Sequence, residues 1–232
     1  MPMIAAMRFQ LSGYARSTRA LAPVLALALL LAIVFSGPLG GTPAEVRSGA
    51  LTALGDLAAL YFPICAWAAR GLLDTEPDAQ RHIGVVTLGR LRTVAGGLGA
   101  AFAFNVCLAL VAGAYPLVEA ARLGVRFSQL LPAAALLPLS ALAATALGAL
   151  SSRAIVPSPG RSVLVLLGVY VADLLLGLGP LRFLTVPMIE WMGAAGRGPS
   201  AFTAALPGFA ARALVWAALA IALYARLRRT RA

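Results

Sequence analysis

Six nearly unbroken apolar runs decide what this chain can fold into. They occupy residues 20–37, 49–69, 94–118, 129–150, 162–179 and 207–224. A helix of about 20 apolar residues crosses the hydrocarbon core of a bilayer, and runs of that length have no place in a small soluble domain. The whole chain is 61% hydrophobic and 12% charged, where a soluble domain carries roughly 25% charged residues. Mean hydropathy is +0.89. The expected fold is all-α, a polytopic membrane protein of six transmembrane helices. The links between the runs are short, so residues 20–232 form one membrane domain. No internal repeat stands out.

Charge sets the orientation. The formal net charge is +11, and all 19 basic residues are arginine. Abundant alanine with no lysine fits a GC-rich bacterial genome. A basic surface can serve nucleic acid, but these arginines gather at the ends of apolar runs, where topology explains them. With the N-terminus inside, thirteen arginines fall on the cytoplasmic side and six outside. Arg8, Arg16, Arg19, Arg70, Arg153 and Arg161 are among the thirteen. Both termini are therefore expected in the cytoplasm, in the bacterial plasma membrane, with no nucleic-acid partner.

Residues 1–19 are too polar to span. On a helical wheel Met3, Ile4, Met7, Leu11 and Tyr14 share one face; Arg8, Ser12, Arg16 and Arg19 share another, with Phe9 out of pattern. This predicts an amphipathic helix in the membrane interface, its arginines reaching lipid phosphates. The alternative is a disordered basic leader that only enforces topology. A cleavable signal over 19–35 is the less favoured reading, given five further runs. Residues 180–206, outside, are semi-apolar and contain Trp191; short re-entrant or interfacial helices suit them better than an irregular loop.

Several chemistries are excluded by what is missing. A P-loop needs a lysine at the phosphates, and there is none. One histidine, His82, cannot make an HExxH pair, and no GxSG accompanies it for nucleophilic catalysis. The DGxxAR pattern of head-group transferases is absent. Cys65 and Cys107 lie inside apolar runs without metal spacing and read as small buried hydrophobes. The expectation is no catalytic residue, no metal and no cofactor. Polar groups inside the runs are the remaining candidates: Asp56, Asn105 and Asp173. An ionisable residue at membrane depth marks function by default. The structural alternative pairs Asp56 with Arg47 and Asp173 with Arg182, and has Asn105 bonding a neighbouring helix. Pro63, Pro116, Pro132 and Pro138 lie where they can kink helices.

One stretch, "LLDTEPDAQRHIGVVTLGRLR" at 72–92, concentrates charge between the second and third runs. It holds Asp74, Glu76 and Asp78, three of only eight acids, followed by Arg81, His82, Arg90 and Arg92. Topology accounts for the arginines but is nearly indifferent to carboxylates. A helix running from about Thr75, acids first and Arg90 and Arg92 near its end, would match the helix dipole, and Pro77 is tolerated in a first turn. A solvated loop is the plainer reading.

The layout resembles the permease subunit of an ABC-2 type exporter, most closely small actinobacterial permeases encoded apart from their ATPase. The residues that carry the likeness are "RFQLSGYARSTRALAPVLALALL" at the start, "LLDTEPDAQRHIGVVTLGRLRTVAGG" in the middle and "LGALSSRAIVPSPGRSVLVLL" before the fifth run. The resemblance implies a second permease subunit, homo- or heterodimeric, and a cytosolic ATP-binding cassette partner that binds the ATP. It makes 74–92 the coupling segment and 4–19 an interfacial connecting helix. The first external link, 38–48, is short beside some relatives. The alternatives are a stand-alone secondary carrier or channel using Asp56 and Asp173, or a membrane assembly or immunity factor. A hydrophobic or amphipathic substrate is what the family implies.

Overall fold

A computed structural model describes residues 2–37 and 41–230 of the chain. The elements are helices in the order α1 (Pro2–Ala15), α2 (Leu21–Val34), α3 (Pro43–Leu60), α4 (Phe62–Leu73), α5 (Asp78–Leu88), α6 (Arg90–Arg122), α7 (Phe127–Ala134), α8 (Leu136–Leu150), α9 (Pro159–Gly177), α10 (Met188–Gly196) and α11 (Pro199–Thr230). Short 3-10 turns lie at Thr18–Ala20 and Arg182–Leu184. Among the described residues there is no strand, so the fold is all-α. Four helical stretches are individually long and apolar enough to cross a membrane: Arg90–Arg122, Leu130–Leu150, Pro159–Gly177 and Pro199–Arg228. Two bent pairs pass the same test together, which brings the number to six if each pair is one span.

The bends have local causes. α1 and α2 meet at 79°. Arg16 and Ser17 end α1 in a turn, with Ser17 Oγ donating to the Tyr14 carbonyl at 2.7 Å, and the 3-10 turn then restarts the chain. α2 alone has 14 residues, about 21 Å of helix, which is shorter than the 20–37 run suggested. α3 and α4 meet at 41° around Tyr61. Pro63 stands two residues later; it lacks an N–H and its ring crowds the carbonyl one turn back. The fourth run is broken at Ala135 into α7 and α8. α3 begins at Pro43, six residues before the predicted run, because Thr42 and Glu45 form a reciprocal capping box. α11 likewise starts before its predicted run and carries Pro207 within it.

α8 is the central helix: 61% of its apolar window is buried, against 17% for α9 and 22% for α11. It crosses α4 at Gly148, where an added Cβ would run into the Ala66 carbonyl and sit 2.8 Å from Ala69 Cβ. The core is alanine and leucine, closed by Tyr61, Phe62, Trp191 and Phe202. Trp191 is wholly buried. It belongs to α10, which packs on α3 closely enough that a Cβ on Gly55 would lie 2.7 Å from Ala195 Cβ. Cys107 departs from expectation: it is exposed on α6, while Cys65 is buried. α9 and α11 turn leucines outward, Leu164 and Leu219 among them.

Candidate functional site

The predicted site residues separate into three places. The first is a polar base at one end of the bundle, where the starts of α2, α6 and α9 meet the ends of α4 and α11. Asp74 is its centre. It is the residue after α4, and it is buried. Its Oδ1 accepts the Arg153 N–H at 2.8 Å, its Oδ2 lies 3.7 Å from Arg70 Nε, and its carbonyl accepts from Arg19 Nη1 at 3.2 Å. Arg70 Nη2 also donates to the Pro159 carbonyl at 3.3 Å. Two segments far apart in sequence are thereby tied to Asp74, that of Arg153 through the carboxylate and that of Arg19 through the main-chain carbonyl. Asp74 is thus an internal fastening and not part of an exposed docking element, contrary to its grouping with the coupling segment.

Glu76 accepts from Gln10 Nε2 at 3.0 Å, which fastens α1 to the same base. Met7, Leu11 and Tyr14, three of the five residues of the predicted membrane-facing stripe, face the bundle and form a small core with Leu73 and Phe104. Ile4 and Phe9 stay exposed. The stripe is real, but most of it serves protein contact. Tyr14 meets Phe104 edge-on at 5.0 Å, and burial pushes its phenol up to about 12, so it remains a neutral hydroxyl. Arg8, Arg16 and Arg19 are exposed.

The helix expected from Thr75 begins at Asp78 and ends at Leu88. Arg90 and Arg92 are not at its end, as the dipole argument required; they open α6. Gly89 separates the two helices with φ +79° and ψ 153°, a conformation open only to glycine. α5 folds back along α6, held where Thr93 Oγ1 donates to the Gly84 carbonyl at 2.9 Å. Arg90 donates to the Arg228 carbonyl, tying this corner to the C-terminal helix. Pro77 precedes α5 and supplies no side-chain cap. The side chains of Asp78, Arg81 and His82 lie outside the described part of the structure. On the free side of α5, Val86 is 85% exposed and Ile83 63%, and Leu91 is exposed beside them on α6. That apolar exposure is the feature sequence reasoning passed over while it attended to charge.

The second place is the middle of the bundle. Asn105 is fully buried; its Nδ2 donates to the Cys65 carbonyl at 3.0 Å and to Thr145 Oγ1 at 2.9 Å. It joins α6 to α4 and α8, as a structural bridge does. Tyr61 OH and Ser140 Oγ make similar cross-helix bonds, to the Leu137 and Ala58 carbonyls.

The third place is the other end. Asp173 is buried near the end of α9, and Oδ1 accepts the Val186 N–H at 2.9 Å. It does not pair with Arg182. Arg182 lies 3.6 Å from Glu190, and Glu190 is also bound by Arg212. Arg212, counted among the six outside arginines although it falls within the 207–224 run, is well inside α11 and further donates to the Thr185 carbonyl at 3.3 Å. A lone arginine inside an apolar run, with a lone glutamate upstream, was the available signal. Asp56 is half-buried in α3 and, among the described residues, has neither the Arg47 partner expected of it nor another ion pair. The two stand nine residues apart on one helix, about 13 Å. Among the described residues no hydrogen bond or ion pair shown links Asp56, Asn105 and Asp173 to one another. Among the described residues no group of histidine, cysteine and carboxylate side chains could hold a metal ion.

No family model, no curated protein and no solved structure matches the chain.

Proposed function

We propose that this chain is the membrane-spanning permease subunit of an ABC-2 type exporter, moving a hydrophobic or amphipathic substrate outward while a separate cytosolic subunit hydrolyses ATP. In this reading the six spans are α2, α3 with α4, α6, α7 with α8, α9, and α11. The polar base faces the cytoplasm with both termini, in a bacterial plasma membrane. α1 lies along the interface, turned off α2 by its 79° bend, and α10 is a short helix tucked in from the outer side.

The observation that carries the reading is α5. It is an 11-residue helix folded back on the base of the bundle, with Ile83 and Val86 turned away from the protein. Large apolar side chains at an aqueous boundary mark a surface for a partner. A helix presented this way, between the second and third spans, is what the family resemblance assigns to contact with the ATPase. The absence of lysine agrees: a partner would supply the nucleotide site. Homo- or heterodimerisation with a second permease subunit follows from the same resemblance.

The test is co-purification with an ATP-binding cassette protein encoded beside this chain. The double substitution Ile83→Asp and Val86→Asp should remove it and leave the thermal midpoint of the permease unchanged, since both side chains are exposed. Retained binding in the double variant would contradict the assignment.

A second reading has one observation in its favour. Asp56 sits at membrane depth without an ion pair among the described residues, as an ion-binding carboxylate of a stand-alone carrier would. Transport driven by an ion gradient without any ATPase, and lost in Asp56→Asn, would favour it.

A further inference from the structure

One face of α4 changes character along its length. Pro63 is followed at helical spacing by Trp67, then Arg70, then Asp74 at the end of the helix. Eleven residues of helix cover about 16 Å, the depth over which a bilayer passes from acyl chain to headgroup. α2 and α9 both pack on α4, one at each side, and leave a cleft above this face.

The cleft has two chambers that share Trp67 and Arg70. The deeper one, of about 300 Å³, is lined by Ala26 of α2, Pro63 and Ile64 of α4, and Val163 and Leu167 of α9. The one at the base, of about 490 Å³, is lined by Tyr14, Arg19, Arg70, Asp74 and Arg153. Three guanidinium groups there face one carboxylate, an excess of two positive charges. The Asp74 carboxylate is already engaged by Arg70 and by the Arg153 main chain. Arg153 lines the chamber and is exposed. Trp67, 45% exposed, stands at the junction, the level at which tryptophan settles in membranes.

We infer that this cleft binds an anionic phospholipid, its phosphate held among Arg19, Arg70 and Arg153 and one acyl chain lying between α2 and α9. Guanidinium groups grip phosphate oxygens in pairs, and the positive excess favours a headgroup whose phosphate is not offset by a cation of its own. The dry chamber selects a chain, because burying it removes apolar surface from water. Neither chamber alone asks for both. Basic pockets between spans at the cytoplasmic side are the expected location for such lipids. The site does not depend on the transport reading; it would serve a carrier or an assembly factor equally.

The experiment uses the purified full chain in a non-ionic detergent. Lipid binding is titrated by native mass spectrometry with phosphatidylglycerol, phosphatidylcholine and glycerol 3-phosphate as probes. The expected order is phosphatidylglycerol first, phosphatidylcholine weaker, and glycerol phosphate without measurable binding. Arg153→Gln should weaken phosphatidylglycerol roughly fivefold, the effect of about one charge near the surface, and weaken phosphatidylcholine less, because its choline cation offsets its phosphate. Ala26→Phe, which fills the deeper chamber, should weaken both lipids. Arg226→Gln, an exposed arginine outside the cleft, should change neither.

Equal binding of the two lipids by the wild type would overturn the proposal. So would an unaltered preference in Arg153→Gln, or an equal loss in Arg226→Gln, which would make the effect one of bulk charge. Glycerol phosphate binding as tightly as the lipid would reduce the site to one for free phosphate and would also overturn it. A cleft covered by a second copy of the chain would show no lipid preference, the same contrary result.

Discussion

Asp74 is the residue on which most of the base depends. Its buried carboxylate answers a nearly buried Arg70 and an otherwise unpaired main-chain N–H. Removing one partner of a buried pair leaves the other charge uncompensated, which costs about 3–5 kcal/mol. Asp74→Ala should therefore lower the thermal midpoint in detergent severely. Asp74→Asn also strips the charge facing Arg70 but keeps an acceptor for the Arg153 N–H, so it should cost less than Asp74→Ala by about 1 kcal/mol, the worth of the retained hydrogen bond. Equal losses in the two variants would count against the role. Gly148 gives a second test at this scale. An added side chain would meet the Ala66 carbonyl and come within 3.0 Å of Arg70 N, backbone that cannot rotate away. Gly148→Val should cost about 3 kcal/mol, read by the same melting measurement.

Among the elements, α5 and its junction with α6 matter most. Gly89 holds a backbone conformation that costs a residue with a Cβ about 1–3 kcal/mol. Gly89→Ala should loosen α5 from α6 while the spans persist. Hydrogen exchange should rise over 78–88 and stay unchanged in α8. Uniform exchange across both would mean that Gly89 does not hold the corner. The sequence already contained this break: a glycine directly after the last apolar residue of 83–88 is a stop signal. Reading acids and arginines as the two ends of one helix obscured it. Pro63 likewise announced the bend at Tyr61, and the apolar runs announced the long helices, because burial from water and helix period are local properties of the chain. The destination of a face is not local. The Met7, Leu11 and Tyr14 stripe looked the same whether it met lipid or Phe104. The base around Asp74 and the outer cluster of Arg182, Glu190 and Arg212 draw on segments up to 89 residues apart, so composition and spacing could not assemble them.

For the whole molecule, the pattern of fastenings separates two ends. Arg19, Arg70, Arg90, Arg153 and Arg228 meet at one; Arg182 and Arg212 meet Glu190 at the other. In the proposed topology the first of these ends is the cytoplasmic one. Single cysteines introduced into a cysteine-free variant should report it. A membrane-impermeant maleimide applied to intact cells should label Gly198→Cys and spare Val86→Cys; the reverse pattern would invert the topology. The central claim is that this bundle is coupled through α5 to an ATP-driven partner. The most direct measurement is the ATP turnover of that partner in proteoliposomes, with and without this chain. The account predicts turnover that rises when the wild-type chain is present and does not rise with the Ile83→Asp, Val86→Asp variant. Turnover that is the same with the wild-type chain, with the variant and with neither would contradict it.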